Sequence, residues 1–426
     1  QQLELSVQPS ALVVGGGVAG MEAALGVAEQ GYQAYLVEKT GELGGVATKL
    51  RTTWKGEDVG EYLEALKKKV QGHPLIKVFS ETVLKDTSGT VGNFVSTLSP
   101  VKGDGPVQMV EHGVTILATG GREYRPTEYL YGEHPNVLTH LDLDQAFKEN
   151  DPRISKAETA VFIQCVGSRT PERPYCSKIC CTHSLKSALA LKTANPDMNV
   201  FILYRDMRSY GFREDLYSEA RRQGVLFIRY DPEDAPELKA ADGGGLELQV
   251  KDHVLQRPVK ISPDLVILAA AVLPNENKDL FELLKVPVDN EGFLIEAHAK
   301  LRPVDLSSDG VFIAGLAHYP KPLEETIAQA NAAVARSMTI LTRDSILVGG
   351  VVAEVIPERC AVCVTCVRTC PYGVPRIGEE GHAVIDPAEC RGCGACAAEC
   401  PGKAIVLRHF TDEQIIAKED ALFQAG

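Results

Sequence analysis

Twelve cysteines occupy only two short regions of this 426-residue chain: four lie between Cys165 and Cys181, and eight between Cys360 and Cys400. Without an export signal such thiols are expected to stay reduced in a cytoplasm, where metal or cofactor chemistry outweighs disulfides. Twelve also divides into three sets of four, the ligand count of a [4Fe–4S] cluster. The rest of the chain is globular in character, with 44% apolar and 24% charged residues, enough for two or three cores. A net charge of -13 argues against nucleic acid, since a phosphate-tracking surface needs a Lys/Arg excess. The longest apolar run, Leu347 to Ile356, is too short to span a bilayer. A start at Gln1 suggests that the native beginning is missing.

Residues 360 to 371 read CAVCVTCVRTCP and residues 390 to 401 read CRGCGACAAECP, two copies of C-x2-C-x2-C-x3-C-P offset by 30 residues. This is the bacterial two-cluster ferredoxin run, in which the fourth cysteine of each copy ligates the other cluster. The assignment is Cys360, Cys363, Cys366 and Cys400 for one [4Fe–4S] cluster, and Cys370, Cys390, Cys393 and Cys396 for the second. Gly392, Gly394 and Ala395 let the loop wrap a cuboidal cluster closely, and Pro371 and Pro401 turn the chain away. The intervening RIGEEGHAVIDPAE reads as a small hairpin. Zinc also takes four cysteines, but duplicated triads each followed by Cys-Pro favour clusters. Two such clusters make a wire rather than a catalyst.

At the other end, SALVVGGGVAGMEAALGVAEQGYQAYLVEK (Ser10 to Lys39) is an apolar strand, a Gly-rich turn, an Ala-rich helix and a second strand ending at Glu38. That context is what a dinucleotide fingerprint requires: Gly15 for the tight turn, Gly17 for the approach of pyrophosphate, Gly20 for packing of helix on strand. Glu38, 18 residues beyond Gly20, is placed to accept from ribose hydroxyls and would repel a 2′-phosphate, disfavouring NADP.

Three further stretches, KTGELGG (Lys39 to Gly45), TILATGGREYRP (Thr115 to Pro126) and DGVFIAGLAHYPKPLEETIAQANAAVARS (Asp309 to Ser337), resemble successive FAD-contacting segments of two-dinucleotide-domain flavoproteins of the thioredoxin reductase type. The resemblance implies an α/β fold with a FAD domain split into residues 1–127 and 291–345 and a second α/β domain inserted at 128–290. A C-terminal α+β 2[4Fe–4S] ferredoxin domain (350–410) and a tail (411–426) follow. It implies FAD contacts from Gly15, Gly17, Val18, Ala19, Gly20, Glu38, Lys39, Gly44, Gly45, Val83, Ala118, Thr119, Gly120, Gly315, Leu316, Glu325 and Thr326, with no catalytic residue beyond the flavin. Pro322 could begin a final helix whose N-terminus points at the flavin, and Ile327, Ala330, Ala333 and Val334 fall on one stripe. Leu316 stands where this type usually has Asp. Glu324 and Glu325 would oppose the helix dipole if aimed at the flavin; a solvated helix N-terminus, where acids are favourable, suits them better.

A conventional inserted domain would carry its own GxGxxG for NAD(P)H. Here TAVFIQCVGSRT ends in Cys165 with only Gly167 after it, so the nicotinamide fingerprint is absent. Pro174 and Tyr175 lead into CSKICCTHSLKSALALK, whose apolar spacing predicts a helix starting near Cys176, with Cys176 and Cys180 on one face. Four thiolates at a helix N-terminus would suit an anionic cluster. A buried cysteine or two beside a reactive pair, or His183 as a substitute ligand, are the alternatives.

VFIQCVGSR, PYCSKICCTHSLKSALALK and ILYRDMRSYGFREDLY, with GTVGNF (Gly89 to Phe94) and the tail RHFTDEQI, resemble the flavin subunit of heterodisulfide reductases (HdrA) and its relatives in quinone-interacting and electron-bifurcating complexes. The resemblance covers nearly the whole chain. It implies that Cys165, Cys176, Cys180 and Cys181 hold a third [4Fe–4S] cluster near FAD. The implied activity is flavin-dependent electron transfer in a multi-subunit complex, through two-electron to one-electron conversion or bifurcation. The implied partners are subunits like HdrB and HdrC of heterodisulfide reductase, a hydrogenase-linked subunit or quinone-interacting subunits, ferredoxin, and hydrogenase or dehydrogenase donors, with a homodimer inside the complex and no transmembrane segment. The family's N-terminal cysteine-containing domain and its ferredoxin-like insertion after GNF have no counterpart here. Two alternatives stay open: an NAD(P)H:ferredoxin-type oxidoreductase resembling the glutamate synthase small subunit, and a docking scaffold with structural FAD.

Overall fold

The computed structural model describes residues 3–424 apart from 104, 349 and 388. Two five-stranded parallel sheets organise the first three-quarters of it. The first runs Val311–Ile313, Val114–Leu117, Ser10–Val14, Gln33–Val37, Ile76–Phe79 in spatial order. Ser10–Val14 is buried at every position, as a central strand covered on both faces must be. Helix Val18–Glu29 packs against the long helix Leu323–Leu341, and a Cβ at Gly26 would stand 3.1 Å from Val334 Cγ2, a tight contact that glycine avoids.

The chain leaves this domain through Gly121–Glu123 and returns through Val272–Pro274, which pair antiparallel. Between them lies the second sheet, ordered Val137–Thr139, Leu265–Ala270, Thr159–Val166, Asn199–Tyr204, Leu226–Arg229. Phe162, Leu185, Ile202 and Ile267 anchor one of its faces. Phe281, Leu284 and Val286, inside the span 128–290 assigned to the insertion by sequence, pack into the core of the first domain. Each half also carries a three-stranded antiparallel sheet, residues 82–112 in the first and 237–261 in the second.

The C-terminal module has a small core of Ala353, Val374, Ala383, Ile385 and Ile405. Arg376–Ile377 and Ala383–Val384 form the expected hairpin, and Ala353–Val355 pairs with Ile405–Leu407. An ion pair from Arg391 to Asp309 ties the module to the FAD half. Helix Asp412–Gln424 follows and buries no residue. Among the described residues no helix is long and apolar enough to cross a membrane.

Candidate functional site

A cavity of about 720 Å³ opens where the strands of the first sheet end. Its wall is built from Gly15, Gly17, Val18 and Ala19 after the first strand, Glu38 and Lys39 after the second, Gly44 and Gly45, Ala118 to Gly120, and Leu316 and Thr326. The three fingerprint glycines divide the labour. Gly15 has φ +114, and a Cβ there would meet the Ala118 carbonyl oxygen at 2.3 Å; a Cβ at Gly20 would meet the Gly15 carbonyl oxygen at 1.8 Å. A Cβ at Gly17 would meet nothing within 4 Å, so that residue keeps space open. Glu38 is buried, with Oε2 accepting from Gly16 N (2.6 Å) and Oε1 from Thr40 N (2.7 Å) and Oγ1 (2.8 Å), which fixes the carboxylate at the rim. Thr119 Oγ1 lines the cavity, buried and without a partner among the described residues. A glycine cradle with an unsatisfied hydroxyl at its floor fits a polar ligand with a phosphate-bearing middle.

Gly20, Val83, Gly315 and Glu325 do not reach the wall. Gly20 and Gly315 lie behind it, Gly315 with φ +76 and its N–H bonded to Gln329 Oε1 at 2.9 Å. Val83 sits on the strand Thr82–Thr90, next to Thr82, whose N–H donates to the Glu38 carbonyl oxygen, without itself lining the cavity.

The final helix, Leu323–Leu341, begins after Pro322 and buries Ala330, Ala333 and Val334 of the predicted stripe, with Ile327 only partly buried against the same core. Its two acids are engaged by the inserted domain rather than simply solvated, which corrects the expectation. Glu325 accepts from Lys178 Nζ (2.5 Å) and Tyr210 OH (2.6 Å), and Glu324 pairs with Arg213, whose guanidinium stacks on Tyr210 at 4.7 Å. All three partners come from that domain. Nearby, Lys321 Nζ lines the cavity and donates to the carbonyl oxygens of Gly315 (2.7 Å) and Tyr319 (2.8 Å); burial pushes its pKa down to about 8.

Lys178, Ile179 and Cys180 form part of the cavity wall, and Cys165, Cys176 and Cys181 lie close enough to Cys180 for their charges to act on it. Their helix starts at Cys180 rather than near Cys176, because Lys178 takes φ +64 and breaks the helical path. Cys176 therefore sits in the loop, its sulfur accepting from Lys178 N at 3.3 Å, while Cys180 and Cys181 occupy the first two helical positions. No side chain caps that helix, which leaves its leading N–H groups facing the thiols. Cys165 lies in a β-bulge between Ile163 and Val166 with φ +64, a device that re-aims a side chain at a cost on the order of 1–3 kcal/mol. Burial raises the pKa of all three of Cys165, Cys180 and Cys181, the last to about 11, and charges on Cys165, Cys176 and Cys181 raise Cys180 further. His183 turns elsewhere: it stacks on His140 (4.4 Å between centroids) with Nε2 3.2 Å from Asp144 Oδ1. Where a nicotinamide fingerprint would run, a Cβ at Gly167 would strike the Tyr124 ring at 2.2 Å.

In the C-terminal module, one hollow is lined by Cys360, Cys363, Cys366 and Cys400, and another by Cys370, Cys390, Cys393 and Cys396. The fourth cysteine of each run thus crosses to the other set. Backbone N–H groups of Ala383, Ala353 and Ala404 reach the sulfurs of Cys360 (3.4 Å), Cys390 (3.3 Å) and Cys400 (3.3 Å). Among the described residues no three His, Cys, Asp or Glu side chains are gathered tightly enough for a single metal ion.

Residues 11–101 match the FAD dependent oxidoreductase family and residues 353–401 the 4Fe-4S dicluster domain. The HdrA chain of the H2:CoB-CoM heterodisulfide,ferredoxin reductase of Methanothermobacter marburgensis is 30% identical, over 98% of this chain and 77% of that one. The corresponding iron-sulfur subunit of the CoB–CoM heterodisulfide reductase of Methanocaldococcus jannaschii is 31% identical, over 99% and 78%. The chain belongs to the HdrA family of heterodisulfide reductase subunits. Its fold is that of thioredoxin reductases: the Lactococcus lactis enzyme superposes with a TM-score of 0.54 at 16% identity over 78% of this chain and 99% of that one, and the T. acidophilum enzyme with 0.52 at 15% over 79% and 99%. Membership of the family, a FAD domain and a 4Fe-4S dicluster domain make the chain an oxidoreductase component that transfers electrons between flavin and iron–sulfur centres.

Proposed function

We propose that this chain is the flavin junction of a heterodisulfide-reductase-like complex. FAD lies along Gly15, Gly17, Glu38, Ala118 to Gly120 and Thr326; Cys165, Cys176, Cys180 and Cys181 hold a third [4Fe–4S] cluster; and the module at 350–410 leads to a partner. When bound, the flavin supplies the exchange between electron pairs and single electrons. The protein's share is position and potential. Cys180 of the inserted domain and Gly17 of the FAD domain stand on one cavity wall, and that single observation carries the reading, because it sets a one-electron site directly against a two-electron site across the domain junction. The helix start at Cys180 and the uncapped N–H groups favour an anionic centre there. The missing GxGxxG after Cys165, where only Gly167 stands, disfavours the competing route from a bound nicotinamide. Division of each pair between two acceptors, with other subunits or a ferredoxin as partners and a second copy of the chain in the complex, is the fullest form of this proposal.

The test is Cys176→Ser in the intact complex. FAD should remain bound while rapid mixing shows electron transfer from flavin to the ferredoxin module slowed by orders of magnitude. Unchanged cluster reduction rates would take the four cysteines off the electron path.

A further inference from the structure

The cysteines of the inserted domain are surrounded by arginines drawn from three segments. Arg169 Nη1 lies 3.9 Å from Cys165 Sγ, and Arg205 Nη1 donates to the Arg169 carbonyl oxygen at 3.0 Å. Arg208, on the exposed side, reaches Cys181 through its backbone N–H. Arg229 Nε donates to the Arg205 carbonyl oxygen at 3.2 Å. One carboxylate, Asp206, faces them, shared by Arg169 (2.7 Å), Arg208 (3.6 Å) and Arg229 (3.9 Å). Four guanidinium groups against one carboxylate is a concentrated positive charge in a chain whose net charge is -13.

Arg205 shows what the collar lacks. Its Nε is buried and has no partner among the described residues, although a buried donor on a permanent cation is costly to leave unmade. The cysteine set lies within the field of these groups, and both Arg169 and Arg205 favour the charged form of Cys165. A [4Fe–4S] centre with four thiolates is negative in either state and gains one further negative charge on reduction. Fixed positive charge therefore stabilises the reduced state more than the oxidised one, which raises the potential. The module at 350–410 differs, because Cys363 and Cys393 are exposed to water that screens charge.

We propose that Arg169, Arg205 and Arg208 set the potential of the Cys165/Cys176/Cys180/Cys181 cluster, making it the electron-accepting branch beside the flavin. The step is one electron from reduced flavin in the adjoining cavity to that cluster, with no proton or bond transferred to it. The inference rests on the third cluster proposed above and adds to it a direction of flow. These arginines are positioning residues, acting through field and hydrogen bonds.

An EPR-monitored redox titration of the purified holoprotein tests it. With Arg205→Gln the third cluster should keep its full spin count while its midpoint moves negative by at least a tenfold change in equilibrium constant, 59 mV for a one-electron couple. Arg205→Lys, which keeps the charge, should recover most of that shift, and the two ferredoxin-module clusters should not move. A full spin count with an unmoved midpoint overturns the inference, as does equal displacement in the Gln and Lys variants. If Arg205→Gln fails to load, Arg208→Gln at the exposed rim must show a smaller shift of the same sign, and an unmoved midpoint there is equally fatal. Absence of a third signal in the unaltered protein brings down the cluster reading itself, a distinguishable result.

Discussion

The two cysteine-rich regions solve one problem in opposite ways. In the C-terminal module eight cysteines sit in two short runs, each set is closed by one cysteine from the other run, and the surrounding core is a handful of small side chains. In the inserted domain four cysteines come from a bulged strand, a loop and a helix start, supported by a full parallel sheet. The first arrangement is shallow, with Cys363 and Cys393 exposed; the second is braced by a full sheet, with Cys180 and Cys181 buried. Wrapping by two short runs lets a small module carry clusters anywhere it is attached. Deep placement fixes one centre relative to one cavity.

The largest effect that could break this comparison comes from Gly17→Val, which fills the space kept open in the glycine cradle. Flavin absorbance should vanish from the purified protein while both cysteine regions keep their iron; stoichiometric FAD in the variant would remove Gly17 from the site. Next in size is the iron count. The unaltered protein should hold about twelve iron and twelve acid-labile sulfide per chain, and Cys180→Ala about eight. Eight in both would leave the inserted-domain cysteines as thiols. Chelator challenge sharpens the contrast further: the ferredoxin-module absorbance should bleach first, because its ligands Cys363 and Cys393 meet solvent, and the EPR signal of the deep cluster should outlast it.

A smaller effect is expected from pH. Lys321, depressed to about 8 by burial, carries its charge below that pH and loses it above. Because a cation on the cavity wall favours reduced flavin, the flavin midpoint should fall more steeply above pH 8 than below, while the ferredoxin-module midpoints show no such break. Lys321→Met should straighten the flavin plot, which potentiometry on both sides of pH 8 would reveal. The smallest is Lys178→Met, which removes a half-exposed partner of Glu325 and should cost about 0.2–1 kcal/mol in thermal unfolding.

What could be read without coordinates was whatever is encoded within one local stretch. The strand–turn–helix at Ser10 to Glu29, the duplicated cysteine runs and their crossing, and the stripe Ala330, Ala333, Val334 depend on spacing alone, and each stands where expected. The helix start was misplaced by a turn because apolar spacing does not reveal that Lys178 adopts φ +64. Glu324 and Glu325 were misread because Lys178, Tyr210 and Arg213 lie more than 100 residues away in sequence. The arginine collar was invisible because its members come from three separate segments. A signal for it existed in RDMR, two arginines flanking one aspartate, but nothing in that run says that Cys165 and Cys181 are its neighbours.

The strand order of the first sheet also dictates a timetable. Val311–Ile313 pairs with Val114–Leu117, so the edge of the FAD domain waits for nearly two hundred residues of intervening chain. During synthesis the inserted domain, contiguous from Val137 to Ala270, emerges whole while its host is still missing a strand and the helix Leu323–Leu341. Its four cysteines are thus available to an iron–sulfur carrier before the neighbouring cavity has a complete wall. Flavin capture must come later, once Thr326 has been made, and the ferredoxin module, built from contacts close in sequence, folds last and fastest. On the proposed reading, the connectivity lets the buried centre be filled before the flavin.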